Sequence, residues 1–164
     1  MERETRWFQE KHIIEDMGLL LEQSGVPRMA GRIIGLLMIC NPPHQSPSEL
    51  AEKLRASKGS ISTMTRLLVE MDLIERIALP DDRRDYFQIR PDATTQIIMF
   101  EASEFATGRQ VTERGLELLK NEPPELQERL RQAHDLYAFL ERETPLLIER
   151  WNKTRAKGTT KKKG

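Results

Sequence analysis

The sequence predicts a mainly α-helical fold with one two-stranded β wing, and three stretches carry that expectation. Ser46-Pro47-Ser48-Glu49 has the spacing of a capping box with proline at the first helical position, so a short helix opens there. In the segment from Ala56 to Leu73, the residues Ile61, Met64, Leu67, Leu68 and Met71 recur at steps of three and four, the apolar stripe of a second helix. Beyond it, Ile77 and Leu79, then Phe87 and Ile89, alternate with polar or small neighbours around Pro80-Asp81-Asp82-Arg83-Arg84. That pattern reads as strands over 74–79 and 85–90 joined by a charged turn.

Taken in order, residues 3–23 form a first helix, with Trp7, Ile14, Met17 and Leu21 near helical spacing and Phe8, Ile13 and Leu20 widening the stripe. Ser24-Gly25 ends it. Pro27 opens a second helix that runs to about Cys40, where Asn41-Pro42-Pro43 stops it. Gly31 and Gly35 lie one turn apart in that helix. Glycine lowers helix propensity, so the pair implies close approach of another backbone. The short helix 47–54 turns Leu50, Ala51 and Leu54 inward. Arg55 and Ala56 then lead to Ser57, whose side chain can cap the helix that begins at Lys58.

A short capped helix, a tight turn and a longer helix are the order of a helix-turn-helix, and the hairpin after it is a wing. The outer face of the longer helix carries Lys58, Ser60, Ser62, Thr63 and Arg66, with no carboxylate before Glu70. Short hydroxyls and cations on one face can meet phosphates and base edges, which makes this the candidate DNA recognition helix. Ser60, Ser62 and Thr63 are placed nearest base edges, Lys58 at a base or phosphate, and Arg66 on the backbone. Arg83 and Arg84 at the wing tip are expected to enter a minor groove, with Asp82 orienting one of them.

Residues 94–120 are helical in composition, with Gly108 a candidate bend. In the last helix Leu126, Leu130, Ala133, Tyr137, Leu140, Thr144, Leu147 and Trp151 form a heptad seam. Pro145 within it predicts a kink or a restart. The domain expectation is therefore an N-terminal dimerisation helix over 1–25, a winged helix-turn-helix over 26–91, a helical dimerisation region over 92–156, and a disordered basic tail over 157–164. A dimer would set two recognition helices about one DNA turn, ~34 Å, apart over a pseudo-palindrome.

Bulk properties fit that picture. The formal net charge is zero, which argues against a protein that coats nucleic acid without regard to sequence. The charge is unevenly placed: between Lys53 and Arg90 basic residues outnumber acidic ones eight to six, and from Arg150 onward there are seven basic residues and no acidic one. No run approaches the roughly 20 apolar residues of a membrane span. The N-terminus lacks a signal-peptide apolar core, so a cytoplasmic protein is expected. The single cysteine, Cys40, excludes an internal disulfide and is expected to be a buried structural thiol. His12, His44 and His134 have no ligand spacing, and no phosphate loop or nucleophile elbow occurs, so no metal, cofactor or catalysis is expected. Arg28 and Arg32 face either a phosphate or acids of the first helix such as Asp16 or Glu22. The competing reading is a winged-helix protein-interaction module in a larger assembly, which would present a more apolar recognition face.

The segments GVPRMAGRIIGLLM, SPSELAEKLRASKGSISTMTRLLVEMDLIERI and PDDRRDYF resemble the MarR superfamily of winged-helix regulators, and more narrowly its GbsR-like branch. The resemblance spans residues 12–91 and implies a homodimeric transcriptional regulator, usually a repressor, whose hold on double-stranded DNA is altered by a small-molecule effector. Lys58 to Arg66 fits the family's recognition helix, and Asp82, Arg83 and Arg84 its wing tip. The wing departs from the GbsR-like pattern, which tends to have glycine where Asp81 or Asp82 stands. GbsR-like sensors of choline and related osmolytes imply an aromatic box. Trp7, Phe8, Phe100, Phe105 and Trp151 are the aromatics available for one, and the expectation for them is hydrophobic core.

Overall fold

The computed structural model describes residues 2–160, with side chains described from Arg6 to Ala156. Its order is α1 (Glu2–Gln23), α2 (Arg28–Ile39), α3 (Pro47–Leu54), α4 (Lys58–Glu70), β1 (Ile74–Ala78), β2 (Asp85–Ile89), α5 (Ala93–Leu118) and α6 (Pro124–Thr160). The chain divides after Gln96 into two compact units.

The first unit is built on α2. Its Ile33, Ile34 and Leu37 are fully buried, as are Leu50 and Leu54 of α3, Ile61 and Leu68 of α4, and Leu73 and Ile74 at the entry to β1. Helix α1 lies on the glycine face of α2. A Cβ on Gly31 would stand 2.9 Å from both the Gly18 Cα and the Met17 carbonyl oxygen. A Cβ on Gly35 would stand 3.0 Å from the Met17 Cβ and 3.1 Å from the Ile14 Cα. The two glycines therefore allow the close backbone approach that their spacing predicts, and Gly18 completes the contact from the other side.

Local chemistry sets the helix ends. At α3 the Ser46 hydroxyl accepts from the Glu49 N–H at 3.3 Å, and the Glu49 carboxylate accepts from the Ser46 N–H at 2.7 Å, closing the capping box. Those hydrogen bonds hold the Glu49 carboxyl below its ordinary pKa. At α4 the Ser57 hydroxyl accepts from the Ser60 N–H at 3.1 Å. Between the two helices Arg55 takes the left-handed conformation, φ 51°, which turns the chain sharply.

Strands β1 and β2 pair antiparallel, with Arg76 opposite Phe87 and Ala78 opposite Asp85. The free edge of β2 is joined by Gln45, whose backbone exchanges two hydrogen bonds with Phe87 at 2.8 and 2.9 Å. This bridge ties the wing to the residue just before the N-cap of α3. A single bridging residue has no period for the sequence to display.

In the second unit α5 and α6 run antiparallel. Gly108 faces the Tyr137 ring, Gly115 faces Leu130, and the Arg109 Nε bonds Glu141 at 2.6 Å. Three positions singled out in the sequence fall within continuous helix here. Helix α5 continues through Gly108 without a break. Helix α6 continues through Pro145 without a restart, because proline removes only one hydrogen bond of a long helix whose flanking turns are intact. It also runs on to Thr160, past the point where a disordered tail was expected, and Lys161 to Gly164 lie outside the described residues.

The aromatic expectation fails as well. None of Trp7, Phe8, Phe100, Phe105 and Trp151 is buried, and Phe8 is 64% exposed, Phe100 51% and Trp151 53%.

Replacing Gly31 by Ala should lower stability by about 1–3 kcal/mol, because the new methyl meets backbone atoms that cannot step aside. Gly59→Ala, at a helical site whose nearest neighbour is 4.0 Å away, should hold or raise stability by up to about 1 kcal/mol. Urea unfolding of the two variants checks the pair, and a Gly31→Ala protein as stable as the parent would contradict the packing described.

Candidate nucleic-acid interface

Helix α4 has two faces with different work. Ile61, Thr65 and Leu68 are buried. The Thr65 hydroxyl stays inside by donating to the Ile61 carbonyl at 2.8 Å, so a polar residue can occupy the core side. Lys58, Ser62, Thr63 and Arg66 are exposed and Ser60 is half-buried on the outward side. The residues singled out from sequence on this helix thus share one surface, starting at its N-terminus, where unpaired backbone N–H groups and the helix dipole favour an anion. Among the described residues Lys58 and Arg66 make no ion pair.

The wing tip is organised around Asp82. Its carboxylate accepts from the Arg84 backbone N–H at 2.9 Å, from the Arg84 Nε at 3.0 Å and Nη2 at 2.7 Å, and from the Tyr86 hydroxyl at 2.8 Å. The Arg84 guanidinium also sits 5.2 Å from the centre of the Tyr86 ring. These bonds, those from the Arg84 side chain first, hold the Asp82 carboxyl well below the usual carboxylate range. The same contact pushes the Tyr86 phenol up, because its O–H donates to a carboxylate. Arg84 is therefore presented in a fixed direction, as the sequence suggested for one of the pair. Arg83 is exposed and makes no ion pair among the described residues. Asp81 adopts φ 63°, the left-handed conformation that glycine takes most readily and that aspartate tolerates.

Three features of this surface escape a reading of the sequence. Tyr86 acts as a buttress of the tip, and nothing but its place one residue beyond Asp85 signals it. Arg76 and Asp85 form an ion pair at 3.0 Å across the hairpin, visible only once the strand register is known. A cleft of about 380 Å³ separates α4 from the sheet, lined by Ser62, Arg66 and Val69 on one side and Arg76, Asp85 and Phe87 on the other.

Arg28 and Arg32 do not belong to this surface. Both pair with Glu15 of α1, at 3.3 and 2.7 Å, which settles their alternatives in favour of an acid of the first helix, though neither Asp16 nor Glu22. The Arg32 Nε hydrogen does not point at Glu15, so that contact is an ion pair without a hydrogen bond. The Arg32 Nη2 instead donates to the Leu54 carbonyl at 3.1 Å, satisfying the C-terminal end of α3. Cys40 is half-buried, and burial pushes its thiol pKa up, which leaves it a poor nucleophile. His12 packs edge-on against Phe8, and His44 against Tyr86.

Two family models match the chain. That of the MarR family spans residues 33–86, and that of the MmpR5-like MarR family transcriptional regulators spans residues 92–154. The chain is 40% identical over 128 residues to the HTH-type transcriptional regulator MmpR5 of Mycobacterium tuberculosis (strain ATCC 25618 / H37Rv), a match covering 78% of each protein. It is 27% identical over 95 residues to the HTH-type transcriptional repressor OpcR of Bacillus subtilis (strain 168), covering 57% of this chain and 51% of OpcR. A crystal structure of a transcriptional regulator superposes with a TM-score of 0.69 at 36% identity, covering 88% of this chain and 99% of that one.

The Asp82 cluster can be checked without DNA. In Asp82→Asn the Tyr86 phenol should titrate lower than in the parent protein, because the carboxylate that contributes most to raising it is gone. Ultraviolet titration of the two tyrosines reads this directly. A Tyr86 titration unchanged by the substitution would show that Asp82 does not organise the tip.

Proposed function

We propose that this chain, which belongs to the MarR family of transcriptional regulators, is a homodimeric repressor that binds a pseudo-palindromic operator and releases it when an effector changes the spacing of its two recognition helices. The observation that carries the DNA contact is the cationic, hydroxyl-rich outer face of α4 beside an arginine-tipped wing. In this reading Ser60, Ser62 and Thr63 meet base edges in a major groove, Lys58 and Arg66 hold phosphates, and Arg83 and Arg84 enter the neighbouring minor groove. Asp82 orients Arg84 before DNA arrives, so less of its freedom is lost on binding. Neither Asn nor Gln stands on this helix for a bidentate adenine contact, so DNA shape contributes to the choice of site.

Dimerisation is supported by apolar surface that the single chain leaves to solvent. Helix α1 exposes Phe8, Ile13 and Leu20, and α6 exposes Leu136, Phe139, Leu146, Leu147 and Trp151. Scattered exposed apolar residues are ordinary, whereas lines of them along two helices fit a partner surface. A cytoplasmic location accompanies this reading, and no described helix is long and apolar enough to cross a membrane. The effector is part of the proposal without an identity, and the exposed aromatics are the side chains available to meet one. The matching models are those of the MarR and MmpR5-like regulators, and the narrower GbsR-like affiliation rests on the PRMAGR and SKGSIS segments alone. A protein-interaction role would call for an apolar outer face on α4, which Lys58, Ser62, Thr63 and Arg66 do not supply.

Operator binding should weaken steeply with salt as phosphate contacts release counterions. Thr63→Ala should reduce discrimination between operator and random duplex by on the order of 1 kcal/mol. Arg66→Ala should weaken both duplexes alike and flatten the salt dependence. Fluorescence anisotropy on the two DNAs separates these effects. If both variants bind as the parent does, α4 is not the recognition helix.

A further inference from the structure

We propose that the cleft between α4 and the wing receives one phosphate of the DNA backbone, held by Arg66 and Arg76, and that Asp85 is the internal carboxylate this phosphate displaces. The inference rests on the DNA-binding reading above and adds two residues to it, Arg76 and Asp85.

The geometry of a duplex places a phosphate here. When a recognition helix lies in a major groove and the wing in the adjacent minor groove, the sugar-phosphate strand dividing the grooves runs between them. In this protein the space between those elements is the cleft of about 380 Å³. Its chemistry suits an anion at the mouth and not in the depth. Val69 and Phe87 line it with apolar surface, and the Thr65 hydroxyl is already bonded within its own helix. The polar groups are Ser62 and Arg66, one helical turn apart on α4, and Arg76 and Asp85 from the sheet. Ser62 belongs both to the cleft and to the outer face of α4, so the slot continues the proposed DNA surface.

The strand register explains why Arg76 and Asp85 meet. Arg76 pairs with Phe87 and Ala78 with Asp85, so Arg76 and Asp85 are diagonal neighbours on the face that closes over α4. Their ion pair at 3.0 Å is open to water, with Arg76 66% and Asp85 50% exposed at the side chain. An exposed pair of this kind is weak. A phosphate offers the guanidinium a bidentate partner, and the neighbouring Arg66 adds a second cation. Asp85 thus keeps Arg76 extended toward the cleft in the free protein and repels the phosphate that takes its place.

The test is a set of anisotropy titrations of the full chain against a random-sequence duplex over a series of salt concentrations. Arg76→Ala should weaken binding about three- to tenfold and reduce the slope of log affinity against log salt by about one. Arg76→Lys should recover most of the slope and only part of the affinity, since lysine keeps the charge without the fork. Asp85→Asn should tighten binding severalfold, and that gain should shrink in the Arg76→Ala background, where only the lost repulsion remains. Circular dichroism melts show whether each variant folds, and the lysine variant carries the test if the alanine variant does not. An unchanged salt slope in Arg76→Ala, with Arg66→Ala still weakened, would overturn the slot and leave the DNA-binding reading standing. An Asp85→Asn gain that is undiminished without Arg76 would also overturn it. No salt-dependent binding by the parent protein would overturn both.

Discussion

The outward face of α4 is decided by what its inward face buries. Ile61 and Leu68 are locked against the α2 side of the core, and Thr65 lies between them with its hydroxyl returned to its own backbone. A rotation of the helix by one residue position would push Ser62 or Arg66 into that core, at a cost of several kcal/mol for an unpaired charge. The core thereby fixes which of the polar side chains a duplex would meet. Everything upstream serves the same placement. The glycine contact of α1 with α2 sets the platform, Arg32 satisfies the end of α3, the left-handed Arg55 turns the chain, and Ser57 starts α4 at Lys58.

The wing is placed by different means. It has little core of its own, so it is tied by backbone bonds to Gln45 on one edge and ordered at its tip by one carboxylate. The Asp82 cluster uses charge-assisted hydrogen bonds where apolar burial is unavailable. Such bonds are exposed to water and contribute more to direction than to stability. In the proposed approach to a polyanion, a tip aimed beforehand would gain, because an arginine held in one rotamer loses less freedom on binding.

Much of this was legible in the sequence because it is local. The capping box at Ser46, the cap at Ser57, the stripe through Ile61 and Leu68 and the alternation through Phe87 and Ile89 all act over a few residues, and each element stands where they place it. The pairing of Gly31 and Gly35 with a second backbone was also legible, since glycine in a helix interior needs a reason. What was not legible depends on tertiary register. Glu15 rather than Asp16 meets Arg28 and Arg32 because it lies beside Ile14 on the face turned to α2. Arg76 and Asp85 meet only through the hairpin register. The exposed rings of Phe8, Phe100 and Trp151 could not be told from core by composition, because apolar residues bound for another surface and those bound for the interior look alike in one chain.

The central claim is that two such α4 faces read DNA together. Selection of bound sequences from a pool of random duplexes tests it most directly, using the full chain at moderate salt. The account predicts recovery of an inverted repeat whose half-sites are centred about one helical turn, ~34 Å, apart. Recovery of nothing beyond salt-sensitive, sequence-independent binding would contradict it.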